Sequence, residues 1–346
     1  MSVLEWVMIA GVILTALALE HSIARTIVAG APKRMVSMHI VCLGESLIDF
    51  KDTGRLAFQG YVGGSPLNVA VAASRLGADV GFAAQVSHDL FGAYIRRHMQ
   101  ENRIDTRFLL GSEAPSTLAF VEEEGGEAHF SFMANATADT LYDPQPRPEF
   151  PESLRLVMFG SISLLQEPAA TAIVDTVAKH KRRSLVVFDP NVRPALIESR
   201  EGYLEQLERW LALAHIVKLS TQDLGWLHPD TAIEDVARAW LEGGPEAVIV
   251  TRGDDGVSLF RRDADELTVS APRVDVADTV GAGDTFTGGL MVRLLEDRVQ
   301  DVANVDDDIW RDVLRFAAAA AAINCTRHGA QPPYREELDG FLEGDA

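Results

Sequence analysis

Cysteine is nearly absent from this chain: its 346 residues include two, Cys42 and Cys325. Both lie in apolar runs, "HIVCLGE" and "AAINCTRHG". A disulfide scaffold or a thiolate metal site needs more thiols at defined spacings, so the sequence excludes both. We expect two reduced thiols with structural roles in a cytoplasmic protein.

Positive charge is also scarce. Lys and Arg number 31 against 51 Asp and Glu, which gives a formal net charge of −20, and no basic cluster offsets it. Binding to the phosphate backbone of DNA or RNA depends on such clusters, so no nucleic-acid partner is predicted. An acidic surface of this kind ordinarily keeps a protein soluble.

An apolar run at residues 6–19, "WVMIAGVILTALAL", lies between Glu5 and Glu20. It is shorter than the ~20 residues of a membrane-spanning helix, and a secretory signal would carry positive charge where this chain has Glu5. We expect residues 1–37 to be an N-terminal extension outside the fold, or the product of a misplaced start. A membrane anchor and a working helical extension are the alternatives. One domain should then occupy residues 38–340.

From residue 38 onward, short apolar runs alternate with amphipathic patterns. The runs typical of buried strands are "HIVCLG", "VGFAAQV", "LRLVMFGSI", "SLVVFDPN", "IVKLS" and "AVIVTRG". The helical patterns are "SPLNVAVAASRLGA", "FGAYIRRHMQENR", "PAATAIVDTVAKHKRR", "GYLEQLERWLALA" and "AIEDVARAWLEGG". Continuous apolar strands separated by amphipathic helices predict an α/β fold, in which helices cover both faces of a parallel sheet.

One stretch breaks this rhythm. "STLAFVEEEGGEAHFSFMANATADTLY" alternates apolar and polar residues on both sides of "EEEGGE", which is typical of a hairpin. Together with "FKDTGRLAFQGY", it predicts a small antiparallel sheet over the ligand-binding edge of the main one, with lid segments at about residues 50–62 and 115–142. The alternative is an ordinary decoration of the sheet edge.

The segment "DTVGAGDTFTGGL" has glycines immediately before a helical pattern that starts around Asp284. The free N–H groups of a helix start, with little side chain around them, form an anion-binding nest from Gly281, Ala282 and Gly283. A carboxylate in its mouth suits phosphoryl transfer, because it can take a proton from a hydroxyl. No Gly-Lys-Ser/Thr follows, so the segment is not a P-loop. The alternative is that Asp284 only caps the helix.

Two long segments resemble the signatures of the ribokinase-like carbohydrate kinases, also called the phosphofructokinase-B family. These are "DTVGAGDTFTGGL" and "GGSPLNVAVAASRLGADVGFAAQVSHDLFG", while "GESLIDF", "DPNVRP" and "RHGAQPP" resemble fructokinase-like members. The resemblance implies a three-layer ribokinase-like sandwich with a small β-sheet lid, and it implies ATP and Mg²⁺. It makes Asp284 the catalytic base, with the N–H groups of residues 281–284 as the anion hole.

Candidate sugar ligands come from the same comparison. A carboxylate at the end of the first strand can accept two sugar hydroxyls, and an amide offers a donor and an acceptor. Ser65 and Pro66 are predicted as the N-cap and the first residue of a helix, and the two glycines before them leave room for a ligand. Phe132 offers an apolar face to a sugar ring, with core packing as its alternative. The predicted sugar ligands are Asp49, Gly63, Gly64, Asn68, Phe132 and Asp284.

The nucleotide half carries weaker signals. The resemblance places ATP along residues in "DPNVRP", "KLSTQDL", "VTRGDDG" and "NCTRHGA"; these are Asn191, Arg193, Ser220, Thr251, Gly253, Gly256, Asn324 and Gly329. The family's Asn-x-x-Glu segment appears here with Ser220 and Asp223, so we expect Asp223 to reach Mg²⁺ through water. Asp278 and Thr279 lie where many members bind a monovalent cation such as K⁺.

The lid sequence also bears on the substrate. Family members that act on acid sugars hold the carboxylate with a lid arginine, and "AHFSFMANATAD" has no Arg or Lys, with Met133 near the expected place. A neutral sugar is therefore favoured, fructose first. The alternatives are another small sugar, an acid sugar or a nucleoside, or a non-catalytic binding protein on the same fold. Sugar and ATP are the expected partners, together with a homodimer through the lid.

Overall fold

The apolar runs of the sequence form the strands of a nine-stranded sheet. In the computed structural model, residues 37–124 and 127–344 are described, with the backbone alone for 122–124 and 127–130. The sheet order is β13-β12-β11-β10-β9-β8-β1-β4-β5, and its pairs are parallel except at β12 and β13. Apart from Ser37, the predicted N-terminal extension lies outside the described residues.

The strands are β1 Ile40–Leu43, β2 Leu47–Gly54, β3 Ala57–Gly63, β4 Val80–Ser87, β5 Asp105–Ser112, β6 Thr117–Glu124, β7 Glu127–Met133, β8 Leu156–Gly160, β9 Leu185–Asp189, β10 Ile216–Ser220, β11 Ala247–Thr251, β12 Val257–Arg261 and β13 Leu267–Val269. The helices are α1 Ser65–Arg75, α2 Leu90–Glu101, α3 Ala169–His180, α4 Arg200–Leu211, α5 Thr221–Leu227, α6 Ile233–Gly243, α7 Ala282–Glu296, α8 Asp307–Cys325 and α9 Arg335–Gly344.

Helices cover both faces of the large sheet, as the continuous apolar strands predict. Side chains of β1 alternate between two cores: Ile40 and Cys42 join α1, α7 and α8, whereas Val41 and Leu43 join α3, α4 and α6. Each face of a strand is thus removed from water, which is why neither face needs polar residues. The predicted three-layer α/β architecture is confirmed.

Close packing of three helices brings the glycine nest to the sheet edge. In α7, a Cβ on Gly288 would lie 2.6 Å from Cβ of Ala72 in α1, and one on Gly289 would lie 3.1 Å from Cα of Ala317 in α8. The missing side chains let both neighbours approach α7 at backbone distance. The alanine run of α8 is therefore a packing surface, and the start of α7 faces the start of α1.

The lid is a four-stranded sheet in the order β3-β2-β6-β7. The prediction of an antiparallel lid is wrong at its centre, because β2 and β6 pair in parallel. Both strands leave the same edge of the main sheet, β2 after β1 and β6 after β5, so both run in the same direction. The segment predicted as lid also ends early: β7 stops at Met133, and Tyr142 is buried in the main core.

No helix in the described ranges is long and apolar enough to cross a membrane. The apolar run at residues 6–19 lies outside those ranges, so the alternatives for it stay predictions.

Candidate active site

Asp284 lies in the first turn of α7, at the carboxyl edge of the large sheet. The helix begins at Ala282, two residues before the predicted start, and Gly281 precedes it with a left-handed φ of +75°. A Cβ on Gly281 would lie 2.5 Å from that of Ala330, so the turn has no room for a side chain. Asp284 is 8% exposed. The N–H groups of the helix start are thus concentrated around a buried carboxylate.

Helix α1 supplies two hydrogen bonds to this carboxylate. Ser65 Oγ donates to Asp284 Oδ1 at 2.7 Å, and Asn68 Nδ2 donates to Oδ2 at 2.8 Å. The prediction of Ser65 as an N-cap is wrong: Gly64 occupies the cap position with a φ of +105°, and Ser65 is the first helical residue. The serine hydroxyl therefore points across to α7 instead of back to its own helix.

Asp49 faces Asp284 from the lid strand β2. Burial raises the pKa of Asp49 to about 6, while the charge of Arg193 opposes this shift and that of Asp284 adds to it. A Cβ on Gly63 would collide with Asp49 Oδ2, and one on Gly64 would lie 2.8 Å from the carbonyl oxygen of Glu45. These two glycines, predicted to leave room for a ligand, make room for protein atoms. Direct contact with sugar stays a prediction for both.

Phe132 shares a row with Asp49 across the lid. The register aligns Asp49 with Tyr61 on β3 and Ala119 on β6, and Ala119 with Phe132 on β7. Because neighbours in register share a face of a sheet, Phe132 lies on the face that presents Asp49. Met133 belongs to the opposite face and is 62% exposed. Met133 therefore does not share the face of Asp49, on which β7 carries the apolar Phe132.

A buried ion pair lies beneath the glycine nest. Lys218 Nζ is 3.0 Å from Asp189 Oδ2, and Thr287 Oγ1 donates to the same oxygen at 3.3 Å. Burial would lower the pKa of Lys218, but Asp189 more than offsets it and the ammonium stays charged. A Cβ on Gly283 would lie 2.9 Å from this ammonium. Sequence reasoning missed Lys218, although a lone lysine inside the apolar strand "IVKLS" was a visible signal.

Asn191 and Arg193 follow β9, and their side chains are hydrogen-bonded to each other. Arg193 Nη1 donates to Asn191 Oδ1 at 2.6 Å, and Asn191 has a positive φ of 37°. The charge of Arg193 acts on Asp49, so the arginine lies toward the lid side of the site. Its predicted contact with phosphate stays a prediction.

Ser220 and Asp223 form a capping box at the start of α5. Asp223 Oδ2 accepts from the backbone N–H of Ser220 at 2.9 Å and from its hydroxyl at 2.6 Å, while Oδ1 accepts from Val192 N at 2.8 Å. Both oxygens thus bind protein donors, although each carboxylate oxygen can accept more than one hydrogen bond. No group of three or more metal-ligating side chains occurs among the described residues. Contact of Asp223 with Mg²⁺ through water stays a prediction.

The remaining residues that were predicted to contact ATP lie in the turn after β11 and at a buried position of α8. Thr251 ends β11, and a Cβ on Gly253 would meet no atom within 4 Å, whereas one on Gly256 would collide with the carbonyl oxygen of Val269. Asn324 is fully buried and donates through Nδ2 to Val280 O at 2.9 Å. That burial argues against its predicted contact with ATP. Asn324 instead holds the loop before the nest.

Asp278 ties this loop to the C-terminal segment and to the lid. Its carboxylate accepts from Val280 N and Gly329 N, both at 3.0 Å, and Lys51 Nζ of β2 lies 3.7 Å away. Burial would raise the pKa of Asp278, but these backbone hydrogen bonds outweigh it and lower the pKa. The backbone oxygen of Thr279 accepts from Ala282 N at 3.2 Å. A monovalent cation at Asp278 and Thr279 stays a prediction.

The fold and this carboxylate at a helix start define a phosphotransferase acting on hydroxyl groups. A family model for the pfkB family of carbohydrate kinases matches residues 37–337. The chain belongs to this family and is a sugar kinase. The resemblance seen in the sequence is thereby confirmed, and a non-catalytic role is set aside.

Similar proteins include fructokinases and a riboside kinase. The chain is 31% identical over 280 residues to a fructokinase of Rhizobium leguminosarum bv. trifolii, covering 79% of this chain and 86% of that protein. It superposes on the ATP-bound fructokinase of Xylella fastidiosa with a TM-score of 0.82 and 29% identity, over 89% of this chain and 99% of that one. Aminoimidazole riboside kinase of Salmonella enterica gives a TM-score of 0.77 and 29% identity over 88% and 99%.

Proposed function

We propose that the protein uses ATP to phosphorylate a hydroxyl of a neutral sugar, with fructose the first choice. The observation that carries this proposal is the placement of Asp284. Its buried carboxylate is oriented by Ser65 and Asn68 and stands at the N–H groups that begin α7. A second carboxylate, Asp49, faces it from the lid. Similarity to fructokinases, one of them with bound ATP, supports the choice of both substrates.

The geometry supports a direct transfer. Asp284 takes the proton of the sugar hydroxyl as that oxygen attacks the γ-phosphorus of ATP, and the bond to the β-phosphate oxygen breaks to release ADP. The N–H groups of residues 281–284 stabilise the charge on the transferred group. Asp49 orients the sugar by accepting hydrogen bonds from its other hydroxyls.

The surroundings must offset the many acidic side chains near the phosphates. Lys218 Nζ lies just beneath Gly283, but its charge is paired with Asp189, so bound cations must supply most of the compensation. Mg²⁺ would be held by the phosphate oxygens and by waters that reach Asp223, and it would neutralise charge on the β- and γ-phosphates. A K⁺ ion at the backbone oxygens of Asp278 and Thr279 would act in the same sense on the adjoining nest.

Two observations bear on other substrates. The likeness to a riboside kinase favours a nucleoside as the second candidate. Arg193 places a cation on the Asp49 side of the site, which a carboxylate of an acid sugar could meet. The lid row of Asp49, Tyr61, Ala119 and Phe132 contains no cationic side chain, and this favours the neutral sugar.

Release of ADP from ATP should be measured with fructose, other neutral sugars, acid sugars and nucleosides, for the full chain and for Asp284→Asn. We expect turnover of a neutral sugar and a loss of at least about 1,000-fold in kcat for the variant, because the base is gone. Asp297→Asn, at the other end of α7, is the matched control and should keep wild-type turnover. An active Asp284→Asn would refute the assignment of the base, and turnover confined to an acid sugar would correct the substrate.

The lid also supports the proposal of a homodimer. Phe58 and Met133 are 40% and 62% exposed on the lid, and exposed apolar side chains of this size can be covered by a second copy. Sedimentation velocity on the full chain tests this, and a monomer at assay concentration would exclude it. A cytoplasmic location is proposed from the kinase activity and its need for ATP.

A further inference from the structure

A buried glutamate lies at the lid hinge, which is the turn between β1 and β2 where the chain passes from the large sheet to the lid. Glu45 lies in the turn between β1 and β2 and is 1% exposed. Its Oε1 accepts from Ser65 N and its Oε2 from Ser163 N, each at 3.2 Å. Strand β2 leaves for the lid two residues after Glu45, and β3 returns at Gly63, two residues before Ser65. One carboxylate therefore joins both ends of the β2–β3 hairpin to the core.

Ser65 connects this hinge to Asp284. Its N–H is one of those that a helix leaves without an internal partner, and a negative side chain at a helix start is favourable there. Glu45 satisfies that N–H, which holds Ser65 in place. The hydroxyl of the same residue donates to Asp284 at 2.7 Å in a buried setting. Two consecutive hydrogen bonds thus run from the lid hinge to the carboxylate.

We propose that Ser65 is a positioning residue for Asp284 and that Glu45 positions Ser65. This inference rests on the proposed role of Asp284 as the base. The hydrogen bond from the Ser65 hydroxyl fixes the orientation of the Asp284 carboxylate at the start of α7. A general base must be held within hydrogen-bonding reach of the proton that it takes, so this contact bears directly on the transfer step. If Ser65 served only as the first residue of α1, no hydroxyl would be needed at this position.

Charged groups from several elements surround Asp284 and Glu45. Asp284 is faced by Asp49 from β2, by Asp189 from β9 and by Lys218 from β10. Glu45 is faced by the charge of Asp139 and by hydrogen-bond donors from Ser65, Ser161 and Ser163. Burial raises the pKa of Glu45 to about 7, while its serine neighbours oppose the shift. Glu45 therefore changes charge in the range where a kinase is assayed.

The first test is Ser65→Ala, assayed from pH 5 to 9 with ATP and the best substrate of the panel. We expect kcat to fall between about 10- and 100-fold, since a hydrogen bond to a charged group is lost. The KM for the sugar should stay close to the wild-type value, because the lost contact acts on the base and not on substrate binding. Ser65→Thr keeps the hydroxyl and should keep most of the wild-type kcat.

Ser184→Ala is the matched control. Ser184 is a buried serine just before β9, at the end of that strand far from Asp189, and its hydroxyl has no partner among the described residues. Its removal should leave kcat and the pH profile unchanged. Thermal denaturation of every variant separates loss of folding from loss of positioning.

Glu45→Gln tests the second link. The carboxamide can accept from one of the two N–H groups but presents an NH₂ to the other, so Ser65 is held less well. We expect a smaller fall in kcat than for Ser65→Ala, and an acidic limb that lacks the contribution of an ionisation near pH 7. A folded Ser65→Ala with wild-type kcat overturns the inference, even where Asp284→Asn is inactive. An active Asp284→Asn instead overturns the proposed function as well.

Discussion

Every residue of β1, β8 and β9 in the central sheet is buried, whereas the first five residues of β3 in the lid are exposed. The surroundings of the charged side chains differ between the two sheets as well. Asp189, at the end of β9, is fully buried and is neutralised by Lys218 at 3.0 Å. Asp49, on the lid, is only partly buried.

The comparison separates charges that hold the fold from charges that meet the substrate. A buried carboxylate with its own lysine is satisfied within the protein and gains little from a ligand. Burial raises the pKa of both Asp189 and Asp49 to about 6, so the lysine partner is what distinguishes Asp189. A perturbed carboxylate that stays partly exposed, as Asp49 does, is typical of a functional position. Three variants test this division, from the central pair to the lid surface.

Lys218→Met should have the largest effect on stability. It leaves Asp189 buried without a cation, and breaking a buried ion pair in this way costs about 3–5 kcal/mol. Urea denaturation should show this loss as a lower midpoint with an unchanged slope. Adding Asp189→Asn to the same chain should restore much of the stability, because no uncompensated charge remains. Wild-type stability of Lys218→Met alone would show that the central pair is not structural.

Asp49→Asn should behave in the opposite way. Burial raises the pKa of Asp49 from 3.8 to about 6, so its contribution to stability is present below about pH 4 and is lost as pH rises through 6. The variant should therefore match the wild type at pH 4 and exceed it at pH 8 by up to about 3 kcal/mol. Turnover should fall, with a KM for the sugar at least about 10-fold higher. Thermal melts at pH 4 and pH 8 measure the stability difference, and steady-state kinetics measure the KM for the sugar. Equal stability of the variant and the wild type at pH 8 would contradict the prediction.

Lys51→Met should have the smallest effect. Its ion pair with Asp278 spans 3.7 Å, with the lysine side chain 35% exposed, and such surface pairs contribute about 0.2–1 kcal/mol. Asp278 keeps its two backbone donors in the variant. Any loss in the free energy of unfolding should disappear at 1 M salt, where surface charges are screened. A loss that persists in salt would mean that Lys51 stabilises the lid by packing.

The central sheet was more predictable than the lid for a physical reason. Strands buried on both faces are apolar throughout, so six of them were visible as runs. Strand β5, with none of its residues fully buried, was missed because an edge strand keeps polar residues. The parallel pairing of β2 with β6 was missed because alternation reports a strand but not its partner.

The residues of the site also divide into those with a local sequence signal and those without one. The nest and Asp284 were visible because glycines and a carboxylate at a helix start are local signals. Helix α5 had a local signal as well, Ser220 three residues before Asp223, which predicts a capping box. The burial of Asn324 and the direction of Arg193 had no such signal, since both depend on segments distant in the sequence.

The sequence by itself determined the α/β class, the family and the identity of the carboxylate at the glycine nest, because each rests on neighbouring residues. Only the tertiary structure decided which groups act on that carboxylate. Ser65 and Asp284 are 219 positions apart, and they meet because glycines in α7 let α1 pack at backbone distance. Lys218 pairs with Asp189 since β9 and β10 are neighbours in the sheet. Contacts of this kind depend on how the layers pack, which no short stretch of sequence contains.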